Sequence, residues 1–395
     1  MIAPHGHAGG RAGAFRDRIE TLQILRGLAA SGVVVEHLLE RYARRGALPG
    51  DLPDFTGRLG QIGVATFFAI SGFVMVYIAI RPDRDPPSGR AFLWSRFARI
   101  APLYYLTTLL AVAFGWIVNS VGANPAYRLP TVTEMLLSFA FVPHRGVHGV
   151  IQPVYALGWT LHYEMAFYGL FAIGLALWGR RGAGLVLVTL GLLLVAGTQV
   201  GAPPEAVGPR IVAYVFTRPI IGYFAIGMVI ALVRQSAWGR LPVVSMRVTM
   251  PIVLSALAVA TLDLSVVSTM IAIAFALGLA VLPAPPAQAS SGSVPGVSRV
   301  FGRAFGRAFG RAFGRGFGDA SYSIYLTHSF VLGAFAAATA PMAARGAYGL
   351  LAMVGLGCIV CAVTGWLSWR LVELPIAARI RRRTGGMAGT ARSAR

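Results

Sequence analysis

The sequence predicts an all-α integral membrane protein of about ten transmembrane helices, with both termini in the cytoplasm. Three observations carry this. Of 395 residues, 56 % are hydrophobic and only 12 % are charged, where a soluble domain is nearer a quarter charged. Apolar runs of about 20 residues, the length needed to cross the hydrocarbon core, recur along the chain. The net charge of +21 comes from having few acids, 14 against 35 basic residues, and every basic residue is an arginine. A chain this basic but this poor in charge is no nucleic-acid binder. Without lysine it has neither a Schiff-base lysine nor a phosphate-binding loop of the lysine type. Two cysteines exclude a disulfide framework and a cysteine zinc site, and no metal is expected.

The runs are 21–39, 61–80, 100–119, 157–178, 183–200, 211–233, 249–263, 265–283, 320–341 and 347–370. The first is not a signal peptide, because it carries Arg26, Glu36 and His37 and no small-residue cleavage site follows it. Arg26 and His37 are eleven residues apart, three turns plus about 20°, so they share a face about 16 Å apart along the axis. Glu36 points about 100° away and is expected on another face. The second run holds Phe67-Phe68-Ala69-Ile70-Ser71-Gly72-Phe73, whose small pair lets two helices approach closely.

At the mouth of the third run, Arg96 and Arg99 are spaced i, i+3 and point one way. Two guanidinium forks suit phosphate oxygens; the plainer alternative is flanking positive charge. The apolar piece 132–142 is too short to span and reads as interfacial or re-entrant. The fourth run opens Gly158-Trp159-Thr160-Leu161-His162-Tyr163-Glu164. Its direction places Glu164 near the depth expected for His37, where a carboxylate fixes a histidine tautomer. His162 faces elsewhere, and the aromatics suit an interfacial belt. The fifth and sixth runs add only Arg218 within a span. The stretch 249–283 reads as one kinked span or as two, and Asp263 with Ser265 favours a tight turn between two.

Residues 283–298, rich in Pro, Ala and Ser, read as a linker. Residues 301–318 repeat Phe-Gly-Arg-Ala with a period of four. That is not a helical period, so a cytosolic loop is expected, with a basic–aromatic lipid anchor as the alternative. The ninth run carries Ser321, Tyr325 and His328 at helical spacing, a polar stripe facing the bundle. His328 is either a second acid/base group or a hydrogen-bonded packing residue. Cys358 and Cys361 in the tenth read as reduced, buried thiols. With these spans and an inner N-terminus, 25 arginines fall inside, 8 outside, and Arg26 and Arg218 within spans, which satisfies the positive-inside rule. The outer cluster Arg41, Arg44 and Arg45 is its weakest point.

Taken in order, the motifs are Arg26-x10-His37, Phe-Phe-x-Ile-Ser71-Gly72-Phe73, Arg96-x-x-Arg99-Ile-x-Pro102-x-Tyr104, Trp159-Thr-Leu-x-x-Glu164-x-x-Phe-Tyr168, Ser321-Tyr322-x-Ile-Tyr325-Leu-x-His328 and Glu373-Leu-Pro375. Together they resemble the membrane-bound acyltransferase family 3, and the segment 158–168 is most similar to its exopolysaccharide-production branch. The resemblance covers about residues 19–376. It implies ten spans and transfer of an acyl group, usually acetyl, from cytosolic acyl-CoA to a sugar hydroxyl. It also implies roles for Arg26 and His37, for Arg96 with Arg99, and for Glu164. Many relatives carry a further soluble domain after the last span; here about 24 residues follow it, which implies a one-component enzyme.

The expected organisation is a cytoplasmic tail (1–18), a membrane domain (19–376, with a cytoplasmic loop at 284–318) and a basic tail (377–395), in a bacterial inner membrane. Acyl-CoA is expected as co-substrate with no permanently bound cofactor, and the acceptor as an extracytoplasmic glycan or lipid-linked saccharide. On this reading Arg26, Arg96 and Arg99 hold the acyl-CoA phosphates and His37 is the general base, with Glu164 orienting it or guiding the acceptor. Ser71, Thr160, Tyr325 and His328 are candidate oxyanion or acceptor contacts. A covalent route through Ser71 lacks a base that spacing can supply. A transporter of lipid-linked sugar or anions also suits intramembrane Arg, His and Glu, but the two halves show no internal repeat. A non-catalytic scaffold needs none of these groups.

Overall fold

A computed structural model describes residues 8–48, 55–81, 84–121, 128–146, 149–203, 207–236, 246–260, 265–282 and 316–380. The described residues are helical, with one isolated bridge between Arg145 and Ile151 in place of any strand. The helices are α1 (Ala8–Arg44), α2 (Phe55–Ala79), α3 (Gly89–Ser120), α4 (Val132–Phe139), α5 (Trp159–Trp178), α6 (Gly182–Ala196), α7 (Pro209–Phe216), α8 (Gly222–Ser236), α9 (Met246–Ala260), α10 (Val266–Ala280), α11 (Gly318–Ala343) and α12 (Ala347–Ser368). Seven helical stretches are long and apolar enough to cross a membrane. One of these, 156–196, is interrupted at Gly179, whose φ of +54° favours glycine. There α5 gives way to α6, which packs back on it where Gly174 meets Gly182.

Lipid is as apolar as leucine, so these helices associate through close packing and hydrogen bonds. The Ser71-Gly72 pair does what its size allows. A Cβ on Gly72 would collide with the Phe224 carbonyl, and one on Gly227 with the Ala69 carbonyl, so α2 and α8 meet backbone to backbone. Gly365 of α12 likewise lies on Ile324 of α11. Side chains of α11 then tie three neighbours together. Asp319 accepts from Gln23 of α1 at 2.6 Å, Tyr322 donates to the Ile100 carbonyl of α3 at 2.7 Å, and Ser323 donates to Glu373 beyond α12 at 2.7 Å.

Several boundaries differ from the sequence reading. The run 211–233 is not one helix: α7 ends at Phe216 and α8 begins at Gly222. Pro219 lacks the donor and Arg218 is extended (ψ 151°), so the break falls there. Arg218 therefore sits at a helix break and not within a continuous span. Helix α3 begins eleven residues before its apolar run, with Ser88 accepting from the Ala91 amide at 3.3 Å. Arg96 and Arg99 thus project from a formed helix. The short α4 is closed by a capping box between Thr131 and Glu134 and held by Tyr105, which donates to the Phe139 carbonyl at 2.7 Å.

The outer arginine cluster has partners: Arg41 donates to Ser329 Oγ at 3.0 Å, Arg45 to the Gly333 carbonyl at 3.3 Å, and Arg44 pairs with Glu40 at 3.0 Å. Cys358 and Cys361 are free thiols. The linker 283–298, repeat residues 301–315, the turn at Asp263 and residues 381–395 lie outside the described residues. The last repeat residues are described, and Phe317 packs where a side chain on Gly27 would stand.

Candidate active site

Two neighbouring cavities lie between α1, α2, α5 and α11, with Val64 and Tyr325 lining both. The helices that build them also divide their residues between them. On α5, Thr160, Glu164 and Tyr168, spaced i, i+4, i+8, face the first cavity, while Trp159 and Tyr163 face the second. On α1, Arg26 lines the first, and Glu36 and His37 line the second. The two residues eleven apart on one helix therefore serve adjoining chambers.

The first cavity, about 100 Å³, brings together Arg26 of α1 with Arg96 and Arg99 of α3. None of the three guanidiniums has a hydrogen-bond or ion-pair partner among the described residues, and the Arg96 Nε is buried. The Arg96 guanidinium lies 5.5 Å from the centre of the Phe92 ring, which supports its position without discharging it. Three cations share this chamber with one lining carboxylate, Glu164, so they repel one another with more charge than it balances, a cost that a bound polyanion offsets. Glu164 is the carboxylate of this chamber. Its Oε1 accepts from Tyr168 and, at 3.3 Å, from Ser71.

The second cavity is larger, about 530 Å³, and holds His37. The His37 Nδ1 lies 2.9 Å from the Val33 carbonyl. A carbonyl only accepts, so Nδ1 carries the proton, which leaves Nε2 as the nitrogen able to take one. The carboxylate beside His37 is Glu36, at 3.9 Å, and not Glu164. Glu164 lines the other chamber. The structure corrects the face expected for Glu36: the carboxylate occupies the space where Gly60 of α2 has no side chain, so neighbours 100° apart on α1 both reach the cavity.

His328 is fully buried, with its ring 5.2 Å from that of His37, edge to face. Its Nδ1 donates to the Tyr325 carbonyl at 2.7 Å. Thr160 donates to the Tyr325 hydroxyl at 3.1 Å, and Tyr325 donates in turn to the Leu157 carbonyl at 3.1 Å. The protons of both hydroxyls are engaged within the protein. Arg58, Tyr223 and Arg218 also line the second cavity, without a role expected from the sequence. Arg218 alone carried a signal, as an ionisable residue inside an apolar run. His162, as expected, faces away from both chambers, toward His144. Among the described residues no three His, Cys, Asp or Glu side chains converge as metal ligands do.

Comparison with known proteins adds the chemistry. A family profile described as an acyltransferase domain matches residues 19–370. The chain is 33 % identical over 342 residues to the exopolysaccharide production protein ExoZ of Rhizobium meliloti (strain 1021), covering 84 % of this chain and 95 % of that one. It is 32 % identical over 163 residues to the acyltransferase MdmB of Streptomyces mycarofaciens, covering 40 % of this chain and 39 % of the relative. No solved structure matches it.

Proposed function

We propose, from the premise that this chain belongs to the acyltransferase 3 family and is a membrane acyltransferase, that it moves an acyl group from acyl-CoA to a saccharide hydroxyl. The acyl group is acetyl on this reading, and the acceptor is a glycan or lipid-linked saccharide on the outer side of a bacterial inner membrane. The observation that carries the donor assignment is the trio Arg26, Arg96 and Arg99, three guanidiniums in one cavity that make no hydrogen bond or close ion pair among the described residues. The phosphates of coenzyme A supply the charge and the acceptor oxygens such a cradle lacks.

The reaction then runs at the boundary of the two chambers. The acyl-pantetheine arm passes Val64 and Tyr325 and brings the thioester to His37. The acceptor O–H gives its proton to His37 Nε2 while its oxygen bonds to the thioester carbon. The C–S bond breaks, and the leaving thiolate takes the proton back from Nε2. General base help of this kind contributes about 10²–10⁴-fold. Glu36, beside the ring, steadies the imidazolium that forms in between. The test is binding of acetyl-CoA to the purified protein in detergent. Affinity should fall with salt and weaken about tenfold or more in Arg96→Ala and Arg99→Ala, since a charge-assisted hydrogen bond contributes about 1.5–3 kcal/mol. Unchanged affinity in both variants would remove the donor site from this cavity.

The Ser71–Glu164 contact favours a second reading, in which Ser71 is acylated first. Glu164 would take the Ser71 proton as the oxygen attacks the thioester, releasing the coenzyme A thiolate. Intact mass spectrometry after mixing with acetyl-CoA separates the routes. An acetyl adduct that disappears in Ser71→Ala establishes the covalent one, and no adduct with active Ser71→Ala excludes it.

A further inference from the structure

The His37 cavity carries more charge than proton transfer to one hydroxyl requires. Arg58 of α2 and Arg218 at the α7–α8 break both line it, and among its described lining residues Glu36 is the carboxylate. Glu36 is drawn toward His37, at 3.9 Å. One terminal nitrogen of Arg218 donates to the carbonyls of Gly197 and Val200 at 3.1 and 3.0 Å, and its guanidinium stacks on Tyr214 at 4.3 Å. That grip fixes the plane of the group while its buried Nε keeps no hydrogen-bond partner. The aromatic residues Trp159, Tyr163 and Tyr223 line the same cavity. Aromatic side chains of this kind pack against the apolar face of a pyranose, and their hydroxyl and N–H groups supply polar contacts.

We infer that this cavity is an acceptor site selective for an anionic saccharide. Arg58 and Arg218 hold an acidic group while the aromatic faces hold the ring whose hydroxyl meets His37. The inference rests on the acyl-transfer reading, which makes this chamber the acceptor side. About 530 Å³ falls in the range that encloses a drug-sized molecule, about 300–1,000 Å³, so a short saccharide fits better than a single sugar. The cavity reaches the protein surface at the exposed residues Gln61, Pro219 and Val266, which leaves a way in for a longer chain. The acidic group is either a carboxylate on the sugar or the pyrophosphate of a polyprenyl carrier, since both present the paired oxygens a guanidinium fork grips.

The test measures binding to the full chain in nanodiscs without any acyl donor, so it does not depend on catalysis. Three probes are titrated: tetraglucuronate, neutral cellotetraose, and a neutral disaccharide on polyprenyl pyrophosphate. An acidic probe should bind about tenfold or more tighter than cellotetraose, with the preference shrinking as salt rises and lost in Arg58→Gln. Arg218→Lys should keep the charge but weaken binding, because a lysine cannot reproduce the fork. These two variants carry the test if Arg218→Gln fails to fold for want of its two carbonyl contacts. Whether tetraglucuronate or the pyrophosphate lipid shows the preference identifies the source of the charge. Equal affinity for all three probes, or a preference that survives both substitutions, overturns the inference. Acyl transfer to a neutral glycan would then leave the enzyme assignment standing alone. Tight acidic binding without any transfer from acyl-CoA would instead sink the transferase mechanism and keep the site.

Discussion

Arg96 and Arg99 sit i, i+3 on α3, and with Arg26 they face a chamber in which they make no hydrogen bond or close ion pair among the described residues. On the proposed reading these groups hold the donor before and during reaction alike, so their removal should raise KM for acyl-CoA and leave kcat nearly unchanged. Steady-state kinetics of Arg96→Ala should show that split. Glu36 behaves in the opposite way. It lies 3.9 Å from the His37 ring, and its charge helps only once the ring has taken a proton. Glu36→Gln should therefore lower kcat about tenfold, the equivalent of 1.4 kcal/mol, with KM for acyl-CoA unmoved. If Glu164→Gln gives that signature and Glu36→Gln does not, the partner of His37 has been misassigned.

The helices explain which of these residues the sequence disclosed. Spacing along one helix is fixed by 3.6 residues per turn, so the alignment of Arg26 with His37 and of Arg96 with Arg99 was legible. Contacts between helices are set by rotation and depth, which no single run records. Glu164 therefore fell beside Ser71 and Tyr168 and not beside His37, and Glu36 reached the cavity because Gly60 lacks a side chain. The Phe-Phe-x-Ile-Ser-Gly-Phe motif disclosed its own purpose through residue size alone. Gly72→Val would drive a side chain into the Phe224 carbonyl of α8, an overpacking that costs about 1–3 kcal/mol. A lower melting temperature in detergent with near-normal KM in the surviving fold is the expected result. Tyr322→Phe removes the 2.7 Å bond to the Ile100 carbonyl and should cost about 1 kcal/mol in the same assay.

At the scale of the whole molecule, the arginines predict which way the bundle faces. Twenty-five of them lie on the side read as cytoplasmic, while Arg41, Arg45 and Arg145 on the other side donate to carbonyls of the protein itself. In a chain with Cys358 and Cys361 replaced by alanine, Tyr348→Cys at the exposed start of α12 should react with a membrane-impermeant thiol reagent in intact cells, and Arg90→Cys only in inverted vesicles. That sidedness, if found, would set the proposed donor cradle toward the cytoplasm and the proposed acceptor cavity beyond it; Val64 and Tyr325 line both. The measurement that tests this most directly is transfer of labelled acetyl from acetyl-CoA to the glycan fraction of membranes by the purified protein and by His37→Ala. With His37 as the base, kcat should fall about 10²–10⁴-fold in the variant while acetyl-CoA still binds with wild-type affinity. Transfer by His37→Ala at an undiminished kcat would contradict that assignment.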